Sequence, residues 1–164
     1  MANAHDVAAY ILDSAGPMSS MKLQKLLYYS QAWHLVWDEE QLFGEAIQAW
    51  ANGPVVYEVF RQHRGRFTVE PPWRCGSIAV LEDNERETID AVLQSYGHLT
   101  GRQLSALTHS EAPWREAREG YGPTASSREP ISLDRMQDFY TSLDNDDAAE
   151  LVEQLVWDDN GPPS

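Results

Sequence analysis

Residues 20–37 constrain this chain more than any other stretch. Read as a helix of about 18 residues, they place Leu23, Leu26, Leu27, Ser30, Trp33, His34 and Trp37 on one face. The other faces carry Lys22, Lys25, Tyr28 and Tyr29, so the segment is apolar or aromatic on most sides. A surface helix needs only one apolar face; this one must be central, or be covered in part by a partner. Ser19 or Ser20 supplies the hydroxyl that caps its start.

Enough chain surrounds it to do the covering. The 164 residues suit one domain with a sizeable core, and 42% of them are hydrophobic. Six Trp, seven Tyr and four Phe fit a dense interior and argue against disorder. The pattern is helix after helix with Gly and Pro between. Val7, Tyr10, Ile11 and Ser14 mark a first helix stopped by Gly16-Pro17. Ala46–Trp50 fits a short strand or a turn of helix. Gly53 is suited to positive φ, and Pro54 opens a helix carrying Val55, Val56, Val59 and Phe60 to about His63. Residues 64–77, with Pro71-Pro72, read as an irregular loop, and Ile78–Leu81 as a brief extended piece. Asn84 with Glu87 and Thr100 with Gln103 are spaced as capping boxes. The first precedes Ile89, Val92, Leu93 and Tyr96; the second precedes Leu104 and Leu107. Pro113 starts a short helix through Trp114. Met136, Phe139, Tyr140 and Leu143 mark another, and a last one carries Ala148, Leu151, Val152, Leu155 and Val156. The expectation is a mainly α, compact, single-domain bundle of about seven helices with at most two short extended segments.

Charge excludes several functions. Acids outnumber bases 26 to 12, a net −14, which argues against direct nucleic-acid binding and against docking on anionic membranes. Residues 1–82 hold six bases and nine acids; residues 83–164 hold six and seventeen. Residues 144–164 alone hold seven acids and no base. They read as a solvated acidic helix with a frayed end, or as an arm that docks on a basic partner. We therefore divide the chain into a domain over 1–143 and an acidic C-terminal helix and tail over 144–164. The single cysteine, Cys75, rules out an internal disulfide and a Cys-rich zinc site, and suits a reducing cytoplasm. No run approaches ~20 apolar residues, and the start lacks the features of a secretory signal.

Catalytic motifs are absent: there is no nucleophile elbow, no P-loop and no dinucleotide-binding glycine pattern. The histidines show no metal-ligand spacing, so neither a metal nor a cofactor is expected. His34 lies on the apolar stripe and reads as a core histidine. The segment Leu107-Thr108-His109-Ser110-Glu111-Ala112-Pro113-Trp114 is the most unusual local pattern. At a helix C-terminus, a charged His109 suits the orphan carbonyls; the alternative is a general base beside Glu111. Lys22 and Lys25 read as partners for acids such as Glu39, Glu40 or the tail.

Three blocks carry a resemblance. Met21-Lys22-Leu23-Gln24-Lys25-Leu26-Leu27-Tyr28-Tyr29-Ser30-Gln31-Ala32-Trp33 resembles the signature of the Panacea domain family, the SocA-like antitoxins, also described as GepA-like phage-associated proteins. Ala49-Trp50 with Gly53-Pro54-Val55-Val56 and Val59-Phe60 resembles the second block. Tyr96-Gly97, Leu104, Thr108-His109 and Pro113-Trp114 resemble the third. The resemblance covers residues 1–120, and the segment from about 144 lies outside it.

It implies a bacterial or phage antitoxin that works as a protein, binding a cognate toxin and blocking it. Some members act as adaptors that hand the toxin to a protease, which makes a cellular protease or chaperone the second kind of partner. Family toxins are diverse and many attack translation; a basic one would suit a −14 partner. The resemblance supplies no catalytic residues. On this reading the signature positions Lys22, Leu23, Lys25, Leu26, Tyr28, Trp33, Trp50, Gly53, Pro54, Thr108, His109 and Trp114 build the scaffold or touch the partner, while the 64–77 loop and the tail adapt to a particular toxin. A competing expectation gathers Lys22, Tyr28, Trp50, His109 and Trp114 around an open pocket.

Overall fold

The computed structural model describes residues 2–160, with side chains through residue 146. Its elements follow local signals closely at first. Helix α1 (Ala4–Ala15) starts at a reciprocal cap: Asn3 accepts from the Asp6 amide and Asp6 accepts from the Asn3 amide. It stops at Gly16, whose φ of 81° suits glycine. A two-residue strand β1 (Met18–Ser19) leads into α2 (Ser20–Trp37), capped by Ser19 Oγ accepting from the Lys22 amide.

Helix α2 is the centre of the molecule. It packs against α1, against strand β3 (Gly53–Val56), against α4 (Asp83–Tyr96) and α5 (Gly101–His109), and against α7 (Leu133–Asn160). Every residue from Leu23 to Leu35 is buried, polar ones included. Five neighbouring elements leave no face for water, which is why the sequence needs apolar or aromatic groups all round.

The extended parts are two small antiparallel ladders. Strand β2 (Ile47–Trp50) pairs with β3, setting Ile47 opposite Val56 and Trp50 opposite Gly53. Strand β1 pairs with β4 (Thr68–Val69). Between them runs α3 (Tyr57–His63), and later α6 (Ala112–Ala117) follows α5. The described residues form seven α-helices, and the fold is mainly α.

Several details differ from the sequence reading. Pro54 does not open a helix; it sits in β3, and α3 begins three residues later at Tyr57. Ile78–Val80 forms a short 3-10 helix in place of an extended piece. The capping box of α4 is Glu82 with Glu85, two residues before the pair read from sequence. One continuous helix, α7, occupies the ground read as two, and it runs through residue 143. Segment 64–77 is anchored: Val69 and Trp73 are buried, the Trp73 indole donates to His5 Nδ1 at 3.2 Å, and the Ser77 amide donates to Asp6 at 2.8 Å. Its irregular composition reflects tight fitting against α1. A Cβ on Gly76 would come within 2.0 Å of the His5 carbonyl oxygen.

Candidate functional site

A long buried helix with polar residues must satisfy them from its neighbours, and α2 does so by tethering loops. Gln24 accepts from the Val56 amide at 2.8 Å and donates to the Val56 carbonyl at 3.3 Å; its Nε2 also lies 2.9 Å from His63 Nε2. Gln31, two turns later, accepts from the Leu42 amide and donates to the Phe43 carbonyl, both at 2.7 Å. Between them Lys25 donates to the Pro54 carbonyl at 3.0 Å. Three side chains of one helix thus fix the β2–β3 hairpin and the loop before it. His34 is a core histidine as expected, its Nδ1 2.8 Å from the Thr88 hydroxyl.

The hairpin turn is built for the lysine beneath it. Gly53 has φ 118°, and a Cβ there would lie 2.4 Å from Lys25 Cε and 3.2 Å from Thr108 Oγ1. Only glycine meets both conditions. Lys25 has no carboxylate partner among the described residues, correcting the expected pairing with acids. Complete burial lowers its amine to about 7. Lys22 likewise meets a backbone oxygen, Gly97 O at 2.6 Å.

The end of α5 closes over the same hairpin. Thr108 donates to the Ser105 carbonyl, and Ser105 to the Asn52 carbonyl. His109 stacks on Trp114, ring centroids 3.9 Å apart and planes within 12°. The Trp114 indole donates to the Trp50 carbonyl at 2.8 Å. Its other neighbour is Arg118, 5.3 Å from the ring centroid, which donates to the carbonyls of Ala49, Gly122 and Ala125. Burial, then the charges of Lys25 and Arg118, push the His109 imidazole below its usual range, and its Nε2 is buried without a hydrogen bond. The expected charged cap is therefore a neutral stacking ring.

Glu111 does not serve His109 either. It is buried and accepts from the hydroxyls of Tyr29 at 2.6 Å and Tyr140 at 2.9 Å; Tyr140 in turn lies 3.0 Å from the Tyr28 hydroxyl. Burial raises its carboxyl above the usual range.

Of the signature positions, Lys25, Gly53, Pro54 and Thr108 converge under the hairpin, with Trp50, His109 and Trp114 beside them. Leu23 and Leu26 are core residues; Tyr28 is fully buried, and Trp33 is buried with its indole on the Tyr96 hydroxyl. Of Lys22, Tyr28, Trp50, His109 and Trp114, Trp50 alone lines any of the grooves of about 340–590 Å³. A surface groove of about 350 Å³ is lined by Trp50, Val55 and Arg128 among others, and a second of about 590 Å³ by Glu39, Glu40, Glu82, Glu85 and Asp134. Among the described residues no His, Cys, Asp or Glu cluster could hold a metal ion, and no helix is long and apolar enough to cross a membrane. Gln24 and Gln31, within the first resemblance block, and Arg118, beyond the third, carry much of this geometry although the sequence reading assigns none of them a site role. The glutamines left a signal: two amides seven residues apart on an otherwise apolar helix face the same way.

Together these features define a helical domain organised around one buried, polar-studded helix that holds an aromatic hairpin. The family model described as "Antitoxin SocA-like, Panacea domain" matches residues 23–115, and the chain belongs to that family. It is similar to a protein named Antitoxin SocA from Caulobacter vibrioides (strain NA1000 / CB15N), with 29% identity over 136 residues covering 73% of this chain and 72% of the relative. The family-model match over residues 23–115 runs from the second turn of α2 to the middle of α6. No solved structure matches the chain.

Proposed function

We propose that this chain is the antitoxin of a toxin–antitoxin pair, acting in the cytoplasm by binding its cognate protein toxin directly and not by catalysis. Family membership carries the reading. The geometry supports a binding role. The polar signature groups Lys25 and Thr108, with nearby Glu111, are turned inward and engaged in hydrogen bonds that hold the fold. What remains outside is the chemistry of an interface: aromatic rings and arginines around the hairpin, and a strongly acidic surface elsewhere. A specific complex would bury roughly 1,200–2,000 Å² in total. The net −14 suits a basic toxin, such as one that handles RNA in translation.

The test is co-expression with the protein encoded beside this chain. Growth arrest by the neighbour alone, relieved by this chain with recovery of a stable complex, is the expected result. Relief without a complex would replace blocking by delivery of the toxin to a protease. No arrest and no complex would remove the reading.

A further inference from the structure

A positive aromatic surface stands out on a chain whose net charge is −14. Trp50, Tyr57 and Phe60 form a contiguous ring cluster, Trp50 4.8 Å and Tyr57 6.0 Å from Phe60. Two exposed guanidinium groups lie over its ends: Arg64 is 5.4 Å from the Phe60 centroid and Arg128 5.1 Å from that of Tyr57. The groove of about 350 Å³ opens between Trp50 and Arg128. Beneath the hairpin, the buried Arg118 adds a guanidinium whose partners are backbone carbonyls. The nearby acids are otherwise engaged, Glu58 with Arg61 at 3.6 Å and Glu129 with the Tyr121 hydroxyl at 3.0 Å. Among the described residues neither Arg64 nor Arg128 pairs with a carboxylate. Guanidinium forks beside aromatic faces suit a carboxylate-rich segment that also carries apolar groups.

The same chain contains such a segment. Residues 144–164 hold Asp144, Asp146, Asp147, Glu150, Glu153, Asp158 and Asp159 with no Lys or Arg, and Leu151, Val152, Leu155 and Val156 recur at helical spacing. Through Asn160 it is the far part of one continuous helix. Arg128 lies five residues before the start of α7, and α7 then runs unbroken for 28 residues. At ~1.5 Å per residue, Glu150 is about 26 Å and Asn160 about 40 Å along the axis from Leu133.

We infer that the Trp50–Arg128 groove receives the acidic C-terminal segment of a second copy of this chain. Two copies related by a two-fold axis would each supply one groove and one segment, which closes a dimer with two identical docking sites. The contact is electrostatic at its rim, so it weakens with salt.

Sedimentation equilibrium on the full chain tests this. A dimer at low salt that dissociates at high salt is expected. Arg64→Glu with Arg128→Glu, both exposed and outside the core, should give a monomer with unchanged melting. Asp158→Lys with Asp159→Lys should do the same from the other side. A fluorescent peptide of residues 144–164 should bind the wild-type chain and lose at least roughly tenfold in affinity for the arginine double variant. A chain monomeric under all conditions that ignores the peptide overturns the inference. So does a dimer that survives both double variants. Binding of a labelled single-stranded RNA to the groove, with no binding of the peptide, would assign the surface to nucleic acid instead.

Discussion

Lys25 is a completely buried amine with one carbonyl partner, and the cost of that burial is visible as pH dependence. Its folded-state value of about 7 lies below the ordinary 10.5. Between these values the unfolded chain binds the proton that the folded chain does not, so this group makes stability rise with pH. The slope is about 1.4 kcal/mol per pH unit at most. The burial penalty is fully present below pH 7. Tyr28, Tyr29 and Tyr140 are pushed upward by burial, so they withdraw stability once the unfolded tyrosines ionise near pH 10. Lys25→Met should flatten the rise between pH 7 and 10 in urea denaturation; an unchanged slope would show that the amine is not the cause. Glu111 obeys the opposite sign. Its raised carboxyl loses stability as pH rises from the ordinary carboxyl range through its own folded value. Glu111→Gln keeps an acceptor for Tyr29 and removes the charge, so it should be close to neutral at pH 7. Glu111→Ala strands buried hydroxyls and should cost about 1–3 kcal/mol. Equal losses for the two variants, read from the same denaturation curves, would refute this account.

The hairpin shows what an element owes to its own residues and what it owes to neighbours. Gly53→Ala meets two obstacles, a φ of 118° and a lysine carbon 2.4 Å from the new methyl. Gly16→Ala meets only the first, since φ is 81° and nothing lies within 4 Å of the added carbon. We expect about 1 kcal/mol for Gly16→Ala and about 2–5 kcal/mol for Gly53→Ala. Similar melting shifts for both would mean that Lys25 moves aside freely. The contrast also separates what was legible from what was not. Gly16 as a helix stop, Ser19 as one of two candidate caps and the Thr100–Gln103 box depend on residues within four positions, and the sequence reads them. Gly53–Val56 looked like a helix start because Pro54 is pre-set for one. A hydrogen bond donated by Gln24, about thirty residues earlier, another accepted by it, and pairing with β2 hold it extended. Acids at 144, 146 and 147 looked like a new helix start, yet α7 continues through them. In the site, Lys25, Gly53 and Thr108 each stand out from local pattern and again in the family resemblance. Their meeting under one turn depends on packing between α2, β3 and α5, which no local pattern encodes.

At the scale of the whole molecule, charge is segregated. The hairpin face gathers arginines, while the groove lined by Glu39, Glu40, Glu82, Glu85 and Asp134 and the 144–164 segment concentrate acids. A basic toxin would be drawn toward the acidic regions from beyond contact range, and its encounter rate would depend on ionic strength. Added salt shortens the screening length from about 10 Å at 0.1 M to about 3 Å at 1 M, which weakens steering before it affects a packed interface. With the cognate toxin in hand, stopped-flow association across that salt range should show an association rate falling by at least tenfold while dissociation changes little. A flat association rate would mean that the toxin does not approach by charge and is not basic on its binding face. A dissociation rate that rises as steeply as association falls would place ion pairs at the centre of the interface. The acidic regions, and not the arginine–aromatic hairpin face, would then become the first surface to map.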